Sequence, residues 1–514
     1  MGIATHNSDS STPESGKGLE AGEVMAPQQS RAESIWPAEN LSGLQQVVFV
    51  FIVCMTQFCT QAAFTSSLFL LPVIGGSFGV TDSNQLAWLV AGYALTTGSF
   101  ILFSGRLGDV FGYKLMFLLG LAWFSLWSLV VGLSAYSNFI LMVFARVLQG
   151  IGPAICLPNA LAILGSVYPP GPTKAMIFAC FGAMAPIGAV TGAAVASALS
   201  LLWWPWAPWA LSLWLLFLTV AGYIVVPVPP QKNNEFADGY TWRKVSEELD
   251  LPGTVTGVTA LIVFNFAWNQ APTVGWATAE TIVPLVAGLA LFGVFAWIEF
   301  KVARRPLLPF DAINRDVGFV LVTVVCGWSA FGIWVLYFVR ILQEVRHLTP
   351  LLTVAWISPV SVGGLVAALT TGVLLGTLKL KPPFLMTMAL AAFTIGVTLT
   401  ATVPADQIYW AQTFVCTVVM PFGMDMSFPA ATLIISDAFK REHQGTGASL
   451  VNTVINYSIS LAVGFAGTVE THVGQPDQLS SFRGGLYFGV GTAAFGLAIC
   501  IVFSIRELLI QRKT

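Results

Sequence analysis

Residues 105–114 read Gly-Arg-Leu-Gly-Asp-Val-Phe-Gly-Tyr-Lys, a polar island between two apolar runs. Each run reaches the length of about 20 residues that a helix needs to cross a bilayer. The residue types suit a tight turn between two such helices. Gly105 and Gly112 permit close backbone approach. Asp109 sits where it favours the positive end of the following helix dipole. Arg106 and Lys114 supply ionic partners and mark one side of the membrane. An ordinary polar turn is the plainer reading of the same residues.

The rest of the chain agrees with membrane helices. Of 514 residues, 56% are hydrophobic and 9% charged, against roughly 25% charged in a soluble domain. The mean hydropathy is +0.77. A soluble globule could not hide this much apolar surface, and disorder needs low hydrophobicity and high charge. A net charge of −2 points to no nucleic-acid partner. All seven cysteines lie in apolar runs and no CxxC occurs, so they read as small packing residues. No histidine lies in the middle of an apolar run, which argues against haem or a histidine-held metal. Neither a cofactor nor a metal is expected, and the chain is not read as an enzyme.

Residues 1–43 are rich in Ser, Gly, Pro and Glu, with six acidic against two basic residues, and read as a disordered tail. Thr12-Pro13 is either a phosphorylation motif or plain tail composition. No basic stretch precedes a short apolar segment, so no cleavable signal peptide is expected. Fourteen spanning runs follow. They lie near 44–72, 84–105, 114–135, 138–166, 172–200, 206–227, 252–271, 279–300, 316–342, 350–375, 383–404, 407–436, 444–469 and 485–508. With the tail inside the cell, 19 of 23 Lys and Arg residues fall on the cytosolic side, the bias that the positive-inside rule demands. Both termini are therefore expected in the cytosol, and the Asn40-Leu-Ser42 sequon is expected to be unused.

Spans 4 and 12 share a pattern. Gly152-PAICL-Pro158 recurs as Gly423-MDMSF-Pro429, 271 residues later. In spans 2 and 10, Ala87, Trp88 and Gly108 recur as Ala355, Trp356 and Gly376, at an offset of 268. Such repeats are a transporter signature, with the substrate site at the repeat interface near the midplane. The expected organisation is an all-α polytopic protein. A six-helix bundle (44–227) is followed by a cytosolic loop (228–251) and two inserted helices (252–300). A linker (301–315), a second six-helix bundle (316–508) and a short C-terminus (509–514) complete it.

Here a resemblance enters. Residues 105–114 resemble the loop motif of the major facilitator superfamily. Arg146-Val-Leu-Gln149-Gly150-Ile-Gly152-Pro153 resembles its RxxQG motif. Gly182-AMA-Pro186-Ile-Gly188-AVT-Gly192 resembles its antiporter motif. Fourteen spans and the segment Arg304 to Asp311 resemble the fourteen-helix drug:proton antiporter family. The wording of ILFSGRLGDVFGYK, GIGPAICLPNALAILG and LLWWPWAPW is most similar to its fungal aminotriazole-resistance-like branch. Two departures stand out. Val110 replaces the basic residue that usually follows the loop Asp, and Gln61-Ala62-Ala63 lie where the family often has a span 1 Asp. The resemblance implies a major facilitator fold and gives Arg146 a role in proton coupling or substrate contact. It also implies that the span 5 bend favours exchange over uniport.

The residues themselves support several site assignments. Arg146 lies well inside a span, where a charge costs about 2.5–3.5 kcal/mol on the lenient insertion scale. It should therefore face the bundle interior or a wet cavity, with Gln149 as its polar partner, or else snorkel to water. Asp425 in span 12 has no basic neighbour in sequence. An isolated buried carboxyl favours its neutral form, the property of a proton carrier; a static pair, including one with Arg146, is the alternative. Gly182, Pro186, Gly188 and Gly192 promote close packing and a bend in span 5. Gln57, Gln61 and Thr65 on span 1, and Asn452, Asn456 and Tyr457 on span 13, form polar stripes. Such stripes either line a cavity, as Gln149 also would, or bond neighbouring helices. Asn265 and Asn269 in span 7 carry the same two readings. Trp203, Trp204, Trp206 and Trp209 read as an interfacial aromatic belt.

No Gly-x4-Gly-Lys-Ser/Thr motif occurs, so ATP is not the expected fuel. The expected function is proton-driven export of small organic compounds by a monomer embedded in the plasma membrane, with the vacuolar membrane as the other location. The alternative is an importer or facilitator of a small nutrient or inorganic solute, such as borate or ammonium.

Overall fold

The computed structural model describes residues 36–169, 171–228, 242–307, 314–438, 444–473 and 477–511. The tail to residue 35 with Thr12-Pro13, much of the loop after span 6, Leu308 to Asp311 of the linker segment, and Lys440 and Arg441 lie outside them. Among the described residues, fourteen helices are long and apolar enough to cross a membrane. Spans 1 to 6 are Gly43–Phe69, Ser83–Phe111, Tyr113–Tyr136, Phe139–Val167, Met176–Ser200 and Trp206–Val225. Spans 7 and 8 are Leu251–Val274 and Ala279–Lys301. Spans 9 to 14 are Arg315–Val345, Pro350–Thr377, Pro382–Thr402, Gln412–Ile435, Ser449–Val473 and Gln478–Arg506. The protein is an all-α multi-pass membrane protein.

Local chemistry sets the helix ends. Ser42 and Gln45 form a reciprocal capping box at the start of span 1, so the sequon serine is a helix cap. Asp82, Asn138 and Asn314 cap spans 2, 4 and 9 through their side-chain oxygens. Span 1 ends at Phe69 rather than near residue 72, because Leu70 leaves helical geometry and Pro72 starts a new short helix, Leu71–Phe78. The loop expected over 228–251 contains a helix, Trp242–Glu248. Its Val245 and the following Leu249 pack with Val110, against Phe103, Leu107 and Phe111 of span 2. Burial of that small apolar face makes the segment helical, although its charges read as loop.

Large apolar side chains such as Leu119, Leu126, Phe217, Val286 and Phe495 face outward, as a lipid-facing surface requires. Six of the seven cysteines are buried and Cys180 is exposed.

The repeat is visible in packing. Gly152 in span 4 sits against Phe124 of span 3, and Gly423 in span 12 sits against Phe393 of span 11. A Cβ at either glycine would fall within about 3 Å of that phenylalanine, so each pair needs a glycine.

Two seams join the bundles. At one, Gly98 of span 2 lies against the Asn456–Tyr457 backbone of span 13. Inserted span 7 crosses this seam: Asn269 donates to Ser460 O (3.2 Å) and Ser460 donates to Ala91 O of span 2 (2.8 Å). At the other, Pro186 of span 5 meets Gly364 of span 10, and Ser361 Oγ donates to Pro186 O at 3.2 Å. At the end remote from the 105–114 turn, Gln343 of span 9 donates to Phe69 O of span 1 at 2.9 Å.

Candidate functional site

The antiporter-motif glycines divide their work. A Cβ on Gly188 would meet the Phe58 backbone of span 1, 2.7 Å from its Cα, and one on Gly192 would overlap Ala62. Gly182 meets nothing within 4 Å, so the close packing expected there is absent. Pro186 points away from span 1 toward Gly364. A Cβ on Gly364 would lie 2.9 Å from Pro186 and 3.0 Å from Asp425 Oδ2. Asp425 therefore approaches Pro186 of span 5 through a gap that only glycine leaves open.

Asp425 is half-buried. Its Oδ2 is enclosed and accepts no hydrogen bond, and no described cation pairs with it. Its backbone carbonyl accepts from Thr371 Oγ1 of span 10 at 3.3 Å. A carboxyl in such surroundings can change protonation without breaking an ion pair.

Arg146 is not its partner. The guanidinium is 1% exposed and lies inside the first bundle. Its Nε donates to Leu89 O at 2.9 Å, its Nη1 donates to Gln149 Oε1, and it stacks over Tyr93 with 4.5 Å to the ring centroid. Gln149 in turn donates to Ser128 Oγ at 2.7 Å. The Arg–Gln partnership legible in sequence is present, and Gln149 also links span 4 to span 3 through Ser128 while bordering a small cavity.

The polar stripes also separate. Gln57 and Gln61 are half-buried and their amides bond no described residue. Thr65 is 6% exposed, and its hydroxyl lies 2.7 Å from Ala189 O of span 5. It joins span 1 to span 5. The Tyr457 hydroxyl likewise joins helices, donating to Leu261 O of span 7 at 3.1 Å. Asn456 is half-buried beside the span 2 seam and donates to Asn452 O at 3.0 Å. Asn265 and Asn269 bond each other and Ser460, which selects helix bonding for span 7. Trp203 and Trp206 are exposed, as a belt requires, but Trp204 is buried and donates to Ser77 Oγ at 3.0 Å.

In the 105–114 turn, Gly112 adopts φ +97°, which favours glycine. The tight approach is at Gly108, whose Cβ would strike Asn159 of span 4; Gly105 makes only an ordinary contact, 3.4 Å from Ser449 Oγ. Asp109 accepts from Tyr113 OH, and Lys114 donates to Tyr223 O at 2.9 Å. Arg106 donates to the carbonyls of Arg305 and Pro306. Beside it, Arg304 pairs with Glu247 (3.2 Å) and Arg305 with Glu248. The motif thus fastens to the irregular segment leaving the inserted helices, a partner that no local spacing announces.

A buried ionic group went unread in the sequence. Arg340 forks onto Glu470 (3.0 and 3.1 Å) and bonds Glu344 (3.0 Å), while Tyr337 OH donates to Glu470 at 2.7 Å. The Arg340/Glu344 spacing of four was its one local signal.

The family model of the Major Facilitator Superfamily matches residues 53–465. The chain is 47% identical over 475 residues to a low affinity ammonium transporter of Saccharomyces cerevisiae, covering 92% of this chain and 91% of that one. It is 43% identical over 474 residues to the efflux pump terJ of Aspergillus terreus, covering 91% and 89%. It is 34% identical over 479 residues to the aminotriazole resistance protein of Saccharomyces cerevisiae, covering 90% and 85%. A solved mutant of the peptide transporter POT, in complex with sulfate, matches with a TM-score of 0.64 at 14% identity, covering 89% and 94%; this is a likeness of fold alone.

Proposed function

The chain belongs to the major facilitator superfamily, and we propose that it exports small organic compounds by proton antiport. Its fourteen spans and its efflux relatives fit the fourteen-helix drug:proton antiporter type. The observation that carries the proposal is the unpaired Asp425 carboxyl beside Pro186. Protonation there removes a charge at the span 5–span 10 seam, where the bundles must part if access alternates. Deprotonation restores it. One elementary charge crossing 100 mV supplies about 2.3 kcal/mol, enough to bias such a seam.

In this reading Arg146 holds spans 2 and 4 in register during the rocking of the bundles and so couples proton movement to access. Gln57, Gln61, Asn452 and Asn456 contact the substrate, and residues 105–114 act as the gate on the cytosolic side. Both termini face the cytosol, and the protein works as a monomer in the plasma membrane.

The second reading is import or facilitated passage of a small solute. It is favoured by the 47% identity to a relative named for ammonium transport. Reconstituted liposomes separate the two. Organic cations, azoles, weak acids, borate and ammonium are presented to wild type, Asp425→Asn and Arg146→Ala, and proton flux is read alongside solute movement. Export predicts a compound that drives protons through wild type and at least tenfold less through Asp425→Asn. Solute passage with no proton movement gives the second reading and removes the role of Asp425.

A further inference from the structure

Arg146 keeps its charge, because a guanidinium does not deprotonate in a protein. Yet every group that touches it is neutral: Leu89 O, Gln149 Oε1 and the Tyr93 ring. Its Nη2 is enclosed and has no hydrogen-bond partner. A small cavity of about 10 Å³ opens against it, bordered by Ser66, Ser67, Met142, Gln149 and Trp204. Ser67 is 5% exposed, and its hydroxyl bonds no described residue. Gln149 Nε2 spends one proton on Ser128 and has a second. The unspent groups at this point are therefore mostly donors: Nη2 of Arg146, the Ser67 hydroxyl and the second amide proton of Gln149.

We infer that this cavity is a binding site for a single monatomic anion of the chloride class, held by Arg146 Nη2 and Ser67 as the counter-ion of the buried guanidinium. The volume suits one water-sized particle, the scale of a monatomic ion. A water would fill the space, but it would leave the charge uncompensated and bring two protons of its own to a place already rich in them. A halide accepts from every donor and offers none. An uncompensated charge in a low-dielectric interior is strongly unfavourable, and this is the arrangement that an anion relieves. The inference does not depend on the exporter reading, since the ion balances Arg146 whatever the protein carries.

The test uses the full chain in lipid nanodiscs at constant ionic strength, with chloride exchanged for gluconate. Chloride should raise the melting temperature saturably, bromide should do the same, and sulfate should not. Radioactive chloride should bind at about one ion per chain. Ser67→Asp supplies a fixed carboxylate at the cavity wall. It should melt in gluconate near the chloride-bound wild type and lose the chloride response. If that variant does not fold, Ser67→Ala should raise the half-saturating chloride about tenfold, the worth of one hydrogen bond to an ion. A wild type indifferent to chloride, with no bound tracer, means that water alone fills the cavity and overturns the assignment. A response unaltered in the Ser67 variants puts the ion elsewhere and overturns it equally.

Discussion

Arg146 and Arg340 are both enclosed, at 1% and 5% exposed, one in each bundle. Their surroundings differ in kind. Arg340 forks onto Glu470, adds Glu344, and rests on the Phe482 ring at 4.1 Å. Its charge is matched by carboxylates fixed in the chain. Arg146 has a carbonyl, an amide and an aromatic ring. The second bundle thus closes its buried charge with ion pairs to carboxylates of its own helices, which locks span 9 to span 13. The first bundle positions its guanidinium through Nε and Nη1 but leaves Nη2 without a partner and the charge unmatched. The lesson is that a buried guanidinium can be positioned without being neutralised, and that the two conditions fail differently when disturbed.

The largest expected effect tests the second bundle. Glu470→Leu strands Arg340 with one carboxylate and should lose about 3–5 kcal/mol of stability. The double variant Arg340→Leu/Glu470→Leu removes both charges and should lose clearly less. Denaturation in detergent measures both, and equal losses would show that packing, not charge, holds this group. Next comes Arg146→Leu. It removes an unmatched charge but leaves the Leu89 carbonyl and the Gln149 amide without a donor, for an expected loss of about 1–3 kcal/mol. A loss larger than that of Glu470→Leu would break the comparison.

Smaller effects sharpen it. Tyr337→Phe removes a hydroxyl bonded to a carboxylate, and Tyr93→Phe removes one bonded to the neutral Thr60 carbonyl at 3.0 Å. Bonds to charged groups contribute about 1.5–3 kcal/mol and neutral ones about 0.5–1.5. Tyr337→Phe should therefore be the more damaging by about 1 kcal/mol in the same assay. The smallest effect concerns Gly182→Ala, which meets open space and should change stability by less than about 0.5 kcal/mol. Gly192→Ala, which collides with Ala62, should instead destabilise by about 1–3 kcal/mol.

Much of this was legible in the chain. Fourteen apolar runs, the basic-residue bias and two repeated residue patterns, one of them glycine–proline, specify a two-bundle membrane fold, because hydropathy and backbone satisfaction leave little else. Arg146 with Gln149 was legible for a local reason: residues three apart on a helix are neighbours. Asp425 was legible as a carboxyl without a sequence-adjacent cation. What it faces was not, because Pro186 and Gly364 come from other helices. The stripes illustrate the same limit. Gln57, Gln61 and Thr65 share a spacing of four, yet Thr65 turns to span 5 and the glutamines do not bond. Spacing places residues on one side of a helix but does not say which helix lies opposite.

The sequence by itself determined the class of protein, the number of spans, the repeat and the positions of two charges inside spans, Arg146 and Asp425. The class and the spans follow from composition and hydropathy, the repeat from matched patterns in paired helices, and the two charges from their place inside apolar runs. Tertiary structure decided which charges are matched, which polar residues join helices, where residues 105–114 fasten, and that Asp425 lies near Pro186 of span 5. Those outcomes depend on contacts between residues as far apart as Gln343 and Phe69, or Arg340 and Glu470. Hydrogen bonds and charge compensation act over a few ångströms of space, and chain order carries no measure of that distance until the helices have packed.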